Sequence, residues 1–443
     1  MTTPIKMANT VAALLLLAGC ASGPDYHQVA GNMPPAYHGQ AALDARNDAL
    51  PAAPLDAWWT GFHDPALTRI VERVLAQNLD LAAALARVVQ ARAAAQEAGA
   101  RQLPAGAVAA SATRQRQGYQ SAFNVGASWE LDLAGGLQRG LENAGALAQA
   151  AEAERLGVRV SMAAEAADAY FRVRAAQRRI ALAQAQVDTD RQLLEMVRLR
   201  QAGGLAASRE AFQAEALVAQ TRAAIAPLEI ERATQLNRLD VLMGAQPGSY
   251  AQEMADMAPA TVVPAIASAG GPADLLRRRP DVVAAERRLA ASSARIGIAS
   301  AQYYPTLSLA ALLGHAGALS AGLGWRLFDF GRIDADIARA RGANAEALAQ
   351  YRSAMLHATE DVENAIVTLT RLEAQGADLS QQVVAQAQAR DAAQQAYLGG
   401  AVSLFEVLGE DRQLLAARDL EARVQADQAR AAVGTFRALG GGW

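Results

Sequence analysis

The chain has a single cysteine, Cys20, among its 443 residues, so no disulfide can form within it. Aromatic residues make up only 5% of the composition. Much of the 52% apolar content is alanine, the strongest helix former and small enough to let backbones approach closely. That composition suits long helices packed on helices rather than a bulky core. Proline is missing from two long stretches, between Pro104 and Pro227 and everywhere beyond Pro305. Because proline breaks helix interiors, these stretches are free to form long helices. Neither sign of charge dominates: the net charge is −3, with no basic footprint for nucleic acid and no acidic tail. Beyond the N-terminus no run is long and apolar enough for a transmembrane helix, so any membrane crossing is expected to be by strands.

The usual marks of a catalytic centre are also missing. None of His27, His38, His63, His315 and His357 has a histidine or cysteine at metal-ligand spacing. No Gly-x-Ser-x-Gly elbow or phosphate-binding glycine loop occurs. The acids Glu360, Asp361 and Glu363 lie near His357 and Arg352 and read as a solvated helix face. The expectation is a protein without enzymatic activity, cofactor or metal.

What is present begins at the N-terminus. Lys6 precedes an apolar run from Val11 to Ala18, followed by Gly19-Cys20. This reads as a signal peptide over residues 1–19, too short to span as a stable helix. Small residues before a cysteine form a lipobox, so Cys20 is expected to become the N-terminus and carry lipid. Position 21 is Ala and not Asp, which resembles lipoproteins sent to the outer membrane. Residues 20–64 are rich in Pro, Gly and Ala and read as an extended arm, anchored by Trp58-Trp59.

The rest is two copies of one unit. Ser128-Trp129-Glu130-Leu131-Asp132 returns as Gly324-Trp325-Arg326-Leu327-Phe328, an offset of 196 residues. The same offset carries Gly203-Gly204 onto Gly399-Gly400, while upstream an offset of 201 carries Pro104 onto Pro305 and Asn78 onto Arg279. The copies span 65–243 and 274–439, with a Pro-, Gly- and Ala-rich linker at 244–273. In each copy helices lead into strands, about 105–132 and about 305–329. Phe123, Val125, Ala127, Trp129 and Leu131 alternate with polar or small residues, as do Leu319, Ala321, Leu323, Trp325 and Leu327, the period of a strand with one apolar face. Strands of about 9–11 residues suit a tilted membrane crossing, and Trp129 and Trp325 mark the strand-to-helix junctions. Glycine-rich or polar tips close the hairpins, Arg114 to Tyr119 and Gly314 to Gly317. Long helices follow at 137–202 and 333–398, on the order of 100 Å each at ~1.5 Å per residue. Each ends at its glycine pair, as left-handed helix stops require, and a return helix runs to about Met243 or Leu439. Pro227 is expected to kink the first return helix. Four strands cannot close a water-filled barrel, and open edges are not tolerated in lipid, so several chains must share one; three would give twelve strands.

Leu275-Leu276-Arg277-Arg278-Arg279-Pro280-Asp281, Tyr303-Tyr304-Pro305, Gly23-Pro24-Asp25-Tyr26 and Trp129-Glu130-Leu131-Asp132 together resemble the outer membrane factor family, the TolC-like and OprM-like channels, in its lipoprotein branch. The resemblance covers about residues 17–439. It implies a mostly α-helical homotrimer with a twelve-stranded β-barrel in outer-membrane lipid and an α-helical barrel in the periplasm. Its function would be that of the exit duct of a tripartite efflux system, with a periplasmic membrane-fusion adaptor docking at the tips and an inner-membrane RND-type transporter supplying the energy. Arg200, Gly203, Gly204, Ser208, Gly399 and Gly400 stand at the tips, where the adaptor would dock, with Gln201, Arg209 and Glu210 beside them. Phe405, Gly409 and Arg412 match the family's lumen-facing gate positions, with Glu406 at an acid common nearby. The acidic gate position is occupied here by Gly409, so an acidic ring cannot be carried over. Two other readings remain at this point: the duct of a type I protein secretion system, and a periplasmic coiled-coil scaffold lipoprotein, which would have no membrane strands.

Overall fold

A computed structural model describes residues 22–29, 33–47, 52–116, 118–257, 262–266, 271–313 and 317–443. The signal peptide, Cys20 and residues 314–316 of the second hairpin tip lie outside the described residues. In chain order the elements are α1 (Gln40–Asn47), β1 (Ala52–Ala53), a 3-10 turn at Trp58–Phe62, α2 (Pro65–Gln77), α3 (Leu79–Ala100), β2 (Ala105–Gln115), β3 (Gly118–Leu131), α4 (Gly136–Ala202), α5 (Ser208–Ala223), α6 (Ile225–Leu242), β4 (Ala265–Ile266), α7 (Leu275–Arg278), α8 (Pro280–Ala301), β5 (Thr306–Leu313), β6 (Ala318–Gly324), α9 (Arg332–Leu398) and α10 (Leu404–Ala438). The long helices α4 and α9 have 67 residues each.

The two sequence repeats are not the two compact units. One unit comprises residues 1–32, 83–156 and 280–357; the other comprises 33–82, 157–279 and 358–443. Each draws on both copies.

The first unit holds the sheet. Its order is β2-β3-β5-β6, all antiparallel, so the two hairpins join through β3 and β5. The register sets Trp129 opposite Leu309 and Leu309 opposite Ala321; Leu131 meets Leu307, and Leu307 meets Leu323. The predicted alternation therefore becomes one continuous apolar face. The second hairpin is shorter than expected, with strands of 8 and 7 residues. Trp325 and Leu327 lie beyond β6, because the chain already turns toward α9 through Phe330 and Gly331, both at positive φ. Behind the junction, Ala299 of α8 packs with Ile333 and Ile337 of α9. The start of the arm is tied down here. Ser22 N donates to the Ala134 carbonyl at 2.9 Å. Arg139 reaches Asp25 at 2.6 Å and holds that carboxyl below its ordinary range. A Cβ at Gly297 would lie 2.6 Å from the Ser22 carbonyl, so the helix needs glycine for the arm to pass.

The second unit holds the aromatic core. Trp58 is 1% exposed and stacks on Phe436 at 5.5 Å, while Phe62 packs on Phe171. The anchoring role expected of Trp58-Trp59 is thus realised. The arm is not wholly extended, however. It forms α1, and β1 pairs in parallel with β4 of the linker, Ala52 with Ala265 and Ala53 with Ile266. Glu363 accepts from the backbone N–H groups of His38 and Gly39, and Asp361 pairs with Arg279 at 2.8 Å. These acids are structural ties to other segments rather than the plain solvated face read from sequence.

Candidate functional site

Two features bear on function: the exposed sheet of the first unit and the helical tips of the second.

On the sheet, the apolar row is uncovered. Phe123, Val125 and Trp129 are exposed on β3, and Leu319 and Leu323 on β6. Exposed apolar faces of this kind mark a surface built for another apolar phase. Among the described residues the outer edges of β2 and β6 have no strand partner, which leaves their backbone groups for another chain to satisfy. None of the described helices is long and apolar enough to cross a membrane.

Both tips are built alike. α4 ends with Gly204 at φ +75° and α9 with Gly400 at φ +76°. Leu205 N donates to the Arg200 carbonyl at 2.8 Å and Ala401 N to the Ala396 carbonyl at 2.9 Å, while each glycine N–H reaches back three residues. These are Schellman stops, which satisfy the last helical carbonyls. Neither Gly204 nor Gly400 would bring a Cβ within 4 Å of anything, so the glycines serve the turn and not a close approach. At the other end of α6, Gly244 at φ +70° does both: a Cβ there would lie 2.7 Å from the Gln77 carbonyl, and its repeat mate Gly440 would meet the Arg278 carbonyl at 2.9 Å.

An apolar cluster joins the two tips: Leu193, Val197, Ala211 and Leu217 from the first hairpin, Tyr397, Leu404, Val407 and Leu408 from the second. Tyr397 donates to Glu210 at 3.3 Å, and the Arg200 guanidinium lies 4.7 Å from its ring, within cation–π reach. Burial and the nearby Glu210 carboxylate push the Tyr397 phenol above its ordinary value. Arg200, placed at the tip by sequence reading, therefore also packs against the sister hairpin. Ser208 accepts from Gln201 at 3.1 Å.

The gate residues fall on the other face of α10. Leu404, Val407, Leu408 and Asp411 are buried, whereas Phe405 is 68% exposed and Arg412 is exposed. Glu406 takes a hydrogen bond from Ser403 at 3.4 Å. A Cβ at Gly409 would meet nothing within 4 Å. Phe405, Gly409 and Arg412 therefore form a face that the chain itself leaves free.

Sequence reading missed a buried polar group nearby. Asp190 is 1% exposed and Asp411 is 2% exposed. A signal existed: Gln186, Asp190, Leu193 and Val197 form one stripe at spacings of four, three and four, and Leu404, Val407, Asp411 and Leu414 form another at three, four and three, so each acid sits in an apolar row. Among the described residues no group of three or more metal-ligating side chains occurs.

Comparison with known proteins agrees with this architecture. The sequence profile of the outer membrane efflux protein family matches residues 70–245 and 271–441. The pyoverdine export outer membrane protein OpmQ of Pseudomonas aeruginosa is 33% identical, over 99% of this chain and 97% of its own. Nodulation protein T of Rhizobium leguminosarum bv. trifolii is 30% identical, over 97% and 96%. Among solved structures, the outer-membrane channel OprN superposes with a TM-score of 0.87 at 30% identity, covering 96% of this chain and 100% of that one.

Proposed function

Because the chain belongs to the outer membrane efflux protein family, we propose that it works as the outer-membrane exit duct of a tripartite efflux pump for small molecules. The carrying observation is the open four-stranded sheet with an exposed apolar face and two unpaired edges. A lone sheet of this kind is not viable in lipid. Three chains would close twelve strands into one barrel, each β6 edge meeting a neighbour's β2. A scaffold lipoprotein without membrane strands does not fit such a sheet.

In this reading Cys20 carries the lipid, two residues before Ser22, whose N–H is tied to the Ala134 carbonyl at the strand-to-helix junction. Phe405, Gly409 and Arg412, with Glu406 beside them, face the duct near its periplasmic end. The tips around Gly203-Gly204 and Gly399-Gly400, with Ser208, present backbone and small side chains to an adaptor protein. An RND-type inner-membrane transporter supplies the energy. The chain performs no catalysis and holds no cofactor beyond its lipid. Purified protein added to a planar lipid bilayer is expected to conduct ions in discrete steps; a protein that inserts but conducts nothing would contradict the duct.

A further inference from the structure

Four helices meet just inside the tips around two carboxylates that nothing above uses. Asp190 on α4 accepts from Gln186 Nε2 at 2.8 Å and from Thr221 Oγ1 of α5 at 2.7 Å. Asp411 on α10 accepts through Oδ1 from Arg390 Nε of α9 at 2.8 Å. Its other oxygen, Oδ2, is buried with no hydrogen-bond partner.

Asp190 is buried with neutral donors as its hydrogen-bond partners. Of the charged groups around it, Arg390 pairs with Asp411 and also with exposed Asp391 at 3.2 Å, and Arg412, an exposed residue, lines the adjoining cavity. Further along, Arg179 and Asp419 already neutralise each other through two bonds of 2.6 and 2.9 Å. Glu410 accepts from Gln386. From α5, Leu217, Gln220 and Thr221 line the site, and none is charged. A buried carboxylate held by neutral donors is costly when ionised, and a proton removes the charge. Burial accordingly pushes the Asp190 carboxyl up, with the Asp411 charge adding to the effect.

Protons have a route. A cavity of about 470 Å³ lies alongside, lined by Asp190, Thr221, Pro227, Leu228, Asp411 and Arg412 among others. It sits at the break between α5 and α6, which Pro227 creates by removing a donor and crowding the carbonyl of Ala223. The matching residue of the second copy is Arg423, and α10 runs there unbroken.

We propose that Asp190, which lines one cavity with Asp411 of the other hairpin, is a proton-operated latch between the two helical hairpins, tight when Asp190 is protonated and loosened when it is ionised. Thr221 ties α4 to its own return helix, and Arg390 ties α9 to α10. A proton on Asp190 lets it lie beside the Asp411–Arg390 ion pair across the same cavity. Because the folded state binds this proton more tightly than the unfolded chain, the contribution of Asp190 to stability is full at low pH. It is lost as pH rises from near 3.8 through the raised folded value. Acid closes the latch and alkali loosens it. Its meaning for transport rests on the duct reading above, but the titration itself does not.

The test is amide hydrogen exchange on the purified full-length protein between pH 4.5 and 8, corrected for the intrinsic pH dependence of exchange. In the wild type, protection of peptides covering 186–193, 217–224 and 407–414 should fall as pH rises, by about tenfold for each pH unit by which the folded carboxyl is raised. In Asp190→Asn the protection should stay at its acid level throughout. Equal pH dependence in both proteins would overturn the proposal. Should that variant fail to fold, the wild type alone decides: a fall confined to these peptides supports the latch, and the same fall around Trp58 overturns it. Conductance in planar bilayers reads the link to gating separately. It should rise with pH in the wild type and not in Asp190→Asn, and a rise of equal size in both would overturn the role of the latch at the gate.

Discussion

The indole N–H of Trp129 donates to the Gln102 carbonyl at 2.9 Å, and 196 residues later Trp325 donates to the Tyr303 carbonyl at 3.0 Å. The tryptophans obey the downstream repeat offset and their acceptors the upstream one, so the slip of five residues is absorbed inside the hairpins that separate them. A second pair shows the same duplication: Asn78 donates to the Leu242 carbonyl at 2.9 Å, and Arg279 to the Ala438 carbonyl at 3.3 Å. If the repeats are equivalent, Trp129→Phe and Trp325→Phe should each cost about 1 kcal/mol, with similar losses in unfolding measured by tryptophan fluorescence and circular dichroism.

Trp58 is the largest fully buried side chain and stacks flat on Phe436 with an interplanar angle of 9°. Trp58→Ala leaves a cavity that its neighbours Trp59, Phe62 and Phe436 cannot fill. The expected loss is about 3–5 kcal/mol, seen as a lower midpoint in denaturant unfolding.

Glycine substitutions should separate by position. Gly244→Ala and Gly440→Ala meet both a positive φ and a backbone carbonyl, so each is expected to destabilise by more than about 1 kcal/mol. Gly409→Ala sits in open space within a helix and should stabilise by about 0.5–1 kcal/mol. Thermal unfolding of the three variants side by side checks the ordering.

At the duct face, Gly409→Asp would place a carboxylate beside Phe405 and Arg412 and, in a trimer, a ring of three. Such a ring favours cations. Reversal potentials under a salt gradient should shift toward cation selectivity in this variant relative to the wild type, and no shift would place position 409 away from the ion path.

Much of the architecture was legible because it rests on residues with one backbone meaning. Prolines bounded the long helices. The glycine pairs stopped them where the structure places left-handed turns, and Pro227 broke the return helix at Ala224, where α5 gives way to α6. Strand alternation gave the face but overshot the end of β6, since Trp325 and Leu327 keep the period after pairing has stopped. The two-residue pairing of β1 with β4 carries no periodic signal at all. At the site, helical spacing put Phe405, Gly409 and Arg412 on one face, while their reading as a gate came from the family resemblance. The contact of Arg200 with Tyr397 did not, because it joins residues 197 apart in sequence whose meeting depends on how two hairpins pack. Asp190 and Asp411 were hidden for a related reason: each looks like surface charge until the apolar stripe around it is recognised as buried.

The central claim is that no single chain forms the pore. Native mass spectrometry of the protein extracted from outer membranes in detergent tests it most directly. The account predicts a particle of three chains, each beginning at Cys20 and carrying acyl mass. A folded, lipidated monomer would contradict it, because the four strands of one chain cannot enclose a duct.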